Sequence, residues 1–287
     1  MILVINYANE SYKSTQHYCT ESAYKYGADR VIEYGPEDMD PQFVLKYKSI
    51  LDEKRGAGYW LWKPYIIKRA LQIIEYGDFL FYVDSGSYFI NKIQYIVDEM
   101  EANQDDIIAF KLPYIEREWT KNAVFKYFNV ENQYEITNSP QRLATFIILK
   151  KTKRTEEVIA KYLDAASYKR LITDDCDDSD LNNPYFIQHR HDQSIFSVLS
   201  KIEKIPLYRD PSEFGGKPKL LLGSYCSPGF DEEVCPKGNY PQLIVLHRKR
   251  QVTLYVRFLA TIRRYFPYYV YRILLKGIIV FHRGTAK

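Results

Sequence analysis

Residues 55–87 read RGAGYWLWKPYIIKRALQIIEYGDFLFYVDSGS. Their order predicts a loop, a helix, a turn and a strand with a short polar end. Gly56 and Gly58 free the backbone ahead of an aromatic and cationic cluster, Tyr59, Trp60, Trp62 and Lys63. Pro64 suits the first turn of a helix, where a missing N–H costs nothing. Ile66, Ile67, Ala70, Leu71 and Ile74 follow at helical spacing. Gly77-Asp78 punctuates the chain. Phe79–Val83 is a short, continuous apolar run, as expected of a strand buried on both faces. It ends in Asp84-Ser85-Gly86-Ser87.

A carboxylate at the carboxyl end of a buried strand in an α/β sheet sits where such folds bind ligands. Gly86 then allows close approach to the backbone. The strand-end acid resembles the nucleotide-sugar site of GT-A glycosyltransferases, whose Asp-x-Asp motif occupies such a strand end. The segments GYWLWKPY and FYVDSG, and HRHDQS at 189–194, resemble one group of bacterial enzymes of capsule and lipopolysaccharide biosynthesis. The resemblance covers most of residues 1–247. It implies an α/β, GT-A-like (Rossmann-like) domain over residues 1–246, with a mostly parallel central sheet flanked by helices. It also implies transfer of a hexose from a nucleotide-diphosphate donor, UDP-galactose type being favoured, to a hydroxyl of a growing, lipid-linked surface glycan. The alternative from another class is a catalytically silent, membrane-associated scaffold that binds nucleotide-sugar or glycan.

The same resemblance assigns roles along the chain. Asn6, Tyr7 and Ala8, after the first strand Ile2–Ile5, would meet base and ribose. Asp84, Ser85 and Gly86 would face the donor, and so would Gln141 and Ala144 beside the strand Leu143–Leu149. Lys63 has two readings, a surface lysine at a helix start or an ammonium aimed at the diphosphate. If its segment is extended, Trp60 and Trp62 alternate, one toward the core and one toward the cleft. Asp192 falls at the start of a helical pattern, Ile195, Phe196, Val198 and Leu199, where the helix dipole favours a carboxylate. It is the candidate to take the acceptor proton or to orient the sugar, with His191 and Gln193 in support. A divalent cation, Mn²⁺ or Mg²⁺, is implied with Asp84 and His247 as ligands. One departure stands out: the motif's second Asp is Gly86 here.

The remaining pattern is α/β throughout. A helix over 14–27 ends at Gly27. Arg30–Tyr34 reads as a strand, and Asp40-Pro41 opens a helix through Leu51. Ile93–Ala102 reads as a helix and Asp106–Lys111 as a strand, broken by Pro113. Thr120 is placed as cap of a helix through Tyr127, with Trp119 on the acceptor side or as its staple. Thr155–Ser167 is an amphipathic helix, and Lys204–Tyr208 and Gln242–Leu246 are strands. Residues 174–183 and 210–241 read as loops.

Composition sets limits on function. Forty-six per cent of residues are hydrophobic, enough for a packed core, and tyrosine is abundant, with 27 in the chain. The formal charge is +4, but residues 247–287 carry ten Lys/Arg and no Asp/Glu. Removing the tail's +10 from +4 leaves −6 for residues 1–246. The tail mixes these cations with Leu254, Phe258, Ile262, Ile273 and Leu274, which suits an anionic membrane surface and not nucleic acid, since a phosphate binder needs no apolar face. The four cysteines show no zinc spacing. No leader is evident in the first residues, and no apolar run reaches the ~18–20 residues of a spanning helix. The expected place is the cytoplasmic face of the plasma membrane, peripherally bound.

Overall fold

A computed structural model describes residues 1–175, 181–215 and 237–265. Most of the 210–241 loop, five residues of the 174–183 loop and the tail beyond 265 lie outside the described residues.

The chain folds as a mixed α/β structure around a seven-stranded sheet. Its strands are β1 (Ile2–Tyr7), β2 (Arg30–Tyr34), β3 (Phe79–Val83), β5 (Ile107–Ile115), β6 (Pro140–Arg142), β7 (Phe146–Lys150) and β8 (Leu207–Tyr208). A separate antiparallel pair joins β4 (Ser87–Phe89) to β9 (Ile244–Leu246). The order across the main sheet is β2-β1-β3-β7-β5-β6, with β8 beside β5. β1 pairs in parallel with both β2 and β3, whereas β7 runs against β3 and β5.

The sheet is buried on both faces, as the unbroken apolar runs require. Alternation sorts the side chains. Leu3, Ile5, Leu80, Tyr82, Ile147 and Leu149 join one core, which packs the helices Trp62–Leu71, Lys153–Ala166 and Asp192–Ile202. Val4, Phe79, Phe81, Val83, Phe146 and Ile148 join the other, under the helices Lys13–Lys25 and Gln94–Ala102. A one-residue slip of β3 would exchange the two sets, so its register is strongly specified.

Several boundaries differ from expectation for local reasons. β1 continues to Tyr7, because its register with β2 extends to Tyr34. The 41–51 helix is two, Pro41–Lys46 and Lys48–Leu51, divided at Tyr47. β5 runs through Pro113 to Ile115, and its pairing with β6 shifts register between Lys111 and Ile115, the kind of irregularity that tolerates proline. Thr120 is not a cap. Its hydroxyl donates to Glu116, and the next helix, Asn122–Tyr127, starts after Lys121. β7 starts at Phe146, while Pro140–Arg142 forms its own strand.

Past β9, the helix Leu254–Tyr265 lays Ala260 against Tyr88 and Val245. Among the described residues no helix is long and apolar enough to cross a membrane.

Candidate functional site

The strand order 2-1-3 makes a switch point between β1 and β3, where the chain departs to opposite sides of β1. Such a point opens a crevice at the carboxyl ends of the strands. A cavity of about 560 Å³ lies there, lined by Tyr7 and Ala8 at the end of β1 and by Asp84, Ser85 and Gly86 after β3. Ser85 Oγ donates to the Tyr7 carbonyl at 2.6 Å and ties the two strand ends together.

The floor is a buried ion cluster. Lys63 enters from the first turn of the Trp62–Leu71 helix, and Asp192 from the first residue of the Asp192–Ile202 helix. Lys63 Nζ is 2.6 Å from Asp192 Oδ2 and 3.8 Å from Asp84 Oδ1, and it donates to the Ala144 carbonyl at 3.1 Å. The Lys63 and Asp192 side chains are 4% and 6% exposed, and that of Asp84 is 34%. Two tyrosines complete the cluster: Tyr82 Oη donates to Asp84 and Tyr162 Oη to Asp192, the latter at 3.3 Å.

Burial alone would strip the proton from Lys63, but the Asp192 and Asp84 carboxylates outweigh it and hold the ammonium above the ordinary lysine range. Burial likewise pushes the Asp192 carboxyl up, with Lys63 pulling against it and Asp84 adding to the rise. Each partner's charge favours the ionised form of the other, and the carboxylate is more basic than a solvated one.

One wall departs from the expected extended segment. Gly56, Ala57, Gly58, Tyr59 and Trp60 all have positive φ, between 50° and 92°. They form a left-handed turn, which side chains with a Cβ rarely enter. Arg55 and Gly56 carbonyls accept from Tyr59 and Trp60 N–H groups, and Trp62 Nε1 donates to the Gly56 carbonyl at 2.9 Å. The turn brings both tryptophans to the cavity, so the strand-like alternation does not hold. Trp62 stacks on Tyr7 with centroids 3.8 Å apart, and Trp60 stacks on His191 at 5.6 Å.

The opposite wall is 190–193. His191, Asp192 and Gln193 all line the cavity. His191 sits at φ 55°, a further strained position at the site. Its Nδ1 lies 2.9 Å from the Ile172 carbonyl, and burial depresses its pKa to about 4, so the ring is neutral at pH 7. Nε2 of His191 is buried without a hydrogen bond among the described residues. His189 is fixed against the Leu171 carbonyl at 2.8 Å. Gln193 Nε2 donates to Gln141 Oε1 at 2.8 Å.

Some expected site residues lie elsewhere. Asn6 is fully buried on β1, accepting from Gln16 at 2.9 Å and donating to Thr20 at 3.3 Å, because the strand continues through it. Gln141 is fully buried behind the wall, donating to Glu116, Thr120 and Ser194. It can act on the cavity only through Gln193. Ala144 does line the cavity, and its carbonyl receives Lys63. Trp119 lies under the Arg190 guanidinium, 4.3 Å from its ring, and is not part of the lining.

The expected cation ligands do not come together. His247 is outside the lining, its ring near Tyr88, and its Nδ1 accepts from the Lys249 N–H at 3.0 Å. Its Nε2 is buried without a hydrogen bond among the described residues. Asp84 already receives Tyr82 and faces Lys63. Among the described residues no group of three or more His, Cys, Asp or Glu side chains is placed to hold a metal. The position of the missing second carboxylate is also tight. A Cβ on Gly86 would lie 3.1 Å from the Arg248 Cα, and the Gly86 carbonyl accepts both the His247 and Arg248 N–H groups at 2.9 Å. Among the described residues, therefore, Asp84, Gly86 and His247 do not fit a protein-held divalent cation.

Cations do line the cavity. Lys54, Arg55, Arg190, Arg248 and Arg250 surround it in addition to Lys63, against two carboxylates. Sequence reasoning missed this cradle, although the HRHDQS and HRKR segments carry three of its members.

No family model and no curated protein matches the sequence. The fold is similar to several solved structures. Mouse xyloside xylosyltransferase 1, apo form, aligns over 88% of this chain and 98% of its own, at 9% identity and TM-score 0.44. The galactosyltransferase LgtC, in complex with donor and acceptor sugar analogues, aligns over 86% and 87%, at 10% identity and TM-score 0.47. The apo glycosyltransferase GlyE of Streptococcus pneumoniae aligns over 97% and 64%, at 12% identity and TM-score 0.46. Likeness at this level is to the outline of the fold and does not carry activity or substrate.

Proposed function

We propose that this chain is a glycosyltransferase that moves a hexose from a nucleotide-diphosphate sugar to a hydroxyl of a growing glycan. The observation that carries the reading is the buried Lys63–Asp192 pair on the floor of a cavity walled by tryptophan and rimmed by arginine. A buried carboxylate fixed by a lysine is a costly arrangement in a fold that needs only a core. It sits at the crevice where α/β sheets bind ligands. The donor is taken to be UDP-linked and of galactose type, and the acceptor lipid-linked, as the sequence resemblance implies.

The chemistry assigned to the site is simple. The acceptor oxygen attacks the anomeric carbon while the bond from that carbon to the diphosphate oxygen breaks, and its electron pair leaves with the diphosphate. In an inverting reaction Asp192 Oδ1 or Oδ2 takes the acceptor proton, its basicity raised by burial. In a retaining reaction the same carboxylate orients the sugar. Lys63 keeps Asp192 ionised and placed, and Trp60 and Trp62 offer flat faces to sugar or base.

Asp192→Asn keeps the shape and removes the base. Expected is a fall of at least about 10²-fold in transfer or donor hydrolysis, together with a lowered thermal midpoint because Lys63 loses its nearest counter-charge, so activity is read below the variant's own melting range. Activity that survives both Asp192→Asn and Asp84→Asn would place the chemistry at other residues, and nucleotide-sugar binding by the parent with no turnover would instead support a binding scaffold.

The reading of a membrane-borne acceptor draws support from the helix Leu254–Tyr265. Leu254 and Phe258 are 80% and 53% exposed on the same helix as Arg257. A basic, apolar surface of this kind suits an anionic interface at the cytoplasmic face.

A further inference from the structure

We propose that the cavity holds the donor diphosphate with its own arginines, Arg190, Arg248 and Arg250, and binds it without a divalent cation. This rests on the nucleotide-sugar reading above and specifies how that site meets the charge of its ligand.

Two independent features of the structure lead here. The first is the tight position at Gly86. The segment after β9 passes directly over this residue, with both N–H groups of 247–248 on one carbonyl. A side chain at 86 would need the Arg248 backbone to give by a few tenths of an ångström. Glycine here is therefore the counterpart of an arginine brought to the strand end. Arg248 itself adopts φ 53°, a left-handed conformation for a side chain with a Cβ. Such a conformation persists only where the surroundings over-determine it, and such positions cluster at ligand sites.

The second feature is the balance of charge. Asp84 and Asp192 share Lys63, and the single negative charge left over is outweighed by Lys54, Arg190, Arg248 and Arg250 around the same cavity. Arg55 is paired with Asp174 at 2.8 Å. Arg190, Arg248 and Arg250 line the same cavity, Arg190 lying over Trp119 and Arg250 over Tyr12. Like charges gathered around one cavity repel one another and are relieved by a polyanion between them. Guanidinium groups bind phosphate oxygens through paired, charge-assisted hydrogen bonds, which suits a diphosphate. Charge that develops on the departing diphosphate would meet these same groups.

Equilibrium binding measured by calorimetry separates the outcomes. The probes are UDP, GDP, ADP, CDP and inorganic pyrophosphate, each in excess EDTA and each with added Mn²⁺ or Mg²⁺. Expected is binding of at least one nucleoside diphosphate in EDTA, with Kd changed less than about threefold by either metal. Arg248→Gln and Arg250→Gln should each weaken that binding about tenfold or more. Arg250 is exposed, so its variant should melt as the parent does and serves as the folding control. Binding that appears only with metal would overturn the inference and leave the glycosyltransferase reading intact. Binding in EDTA that both arginine variants retain would also overturn it. No binding by any probe in either buffer would overturn both.

Discussion

Lys63 shows how one residue links the strand ends to the helices around them. Its ammonium touches Asp192 and the Ala144 carbonyl and faces Asp84, so it joins three chain segments at one point. This corrects the picture of a lysine aimed at the diphosphate, since its donors are committed within the protein. Lys63→Met would leave Asp192 buried without its partner. The expected loss is about 3–5 kcal/mol of stability, read from urea denaturation, together with loss of transfer. A loss under about 1 kcal/mol would mean that the pair adds nothing to the fold.

Among the elements, the left-handed turn 56–60 is the least expected. Glycine at 56 and 58 made a flexible loop the natural expectation, but Ala57, Tyr59 and Trp60 share the unusual region. Each non-glycine residue there costs roughly 1–2 kcal/mol. The cost is offset by the stacking of Trp60 on His191, by Trp62 Nε1 on the Gly56 carbonyl, and by Tyr59 Oη on Asp174. In an ordinary helix Ala→Gly destabilises by about 0.5–1 kcal/mol. Ala57→Gly should instead be neutral or stabilising by up to about 1 kcal/mol, as measured by chemical denaturation. A clear loss of stability would show that the turn is not strained at that residue.

At the scale of the whole molecule, three buried histidines set a pH dependence. Burial depresses His189 well below its ordinary value of 6.5 and takes His191 and His247 to about 4. In the unfolded chain they take up protons near 6.5, so between pH 6.5 and 4 the unfolded state binds more protons than the native one. Stability is then present above about pH 6.5 and is lost as pH falls toward 4, each histidine contributing up to about 1.4 kcal/mol per pH unit. The raised Asp192 and Asp210 work in the opposite sense, as two groups against three. Thermal midpoints should drop from pH 6.5 to 4.5, and His189→Gln should flatten the slope if the variant folds. A midpoint constant over that range would refute this account. The tail helix belongs to this scale too. Leu254→Glu with Phe258→Glu should abolish sedimentation with phosphatidylserine vesicles and leave transfer to a soluble acceptor unchanged. Equal sedimentation of parent and variant would place the membrane contact elsewhere.

Much of the fold was legible from local pattern. The apolar run 79–83 and the heptad-like spacing of 66–71 are set by which side chains must leave water, and neighbours in sequence suffice to read that. Arg30–Tyr34 and the Asp192 helix start were legible for the same reason. The pairing of Lys63 with Asp192, 129 positions apart in the chain, was not. Nor was the passage of Arg248 over Gly86, or the burial of Asn6 and Gln141 away from the cavity. Local sequence determined which segments became strands and helices, because burial period is a short-range property. Tertiary structure alone decided which charges meet, because an ion pair depends on the distance between segments that the sheet, and not the chain order, brings together.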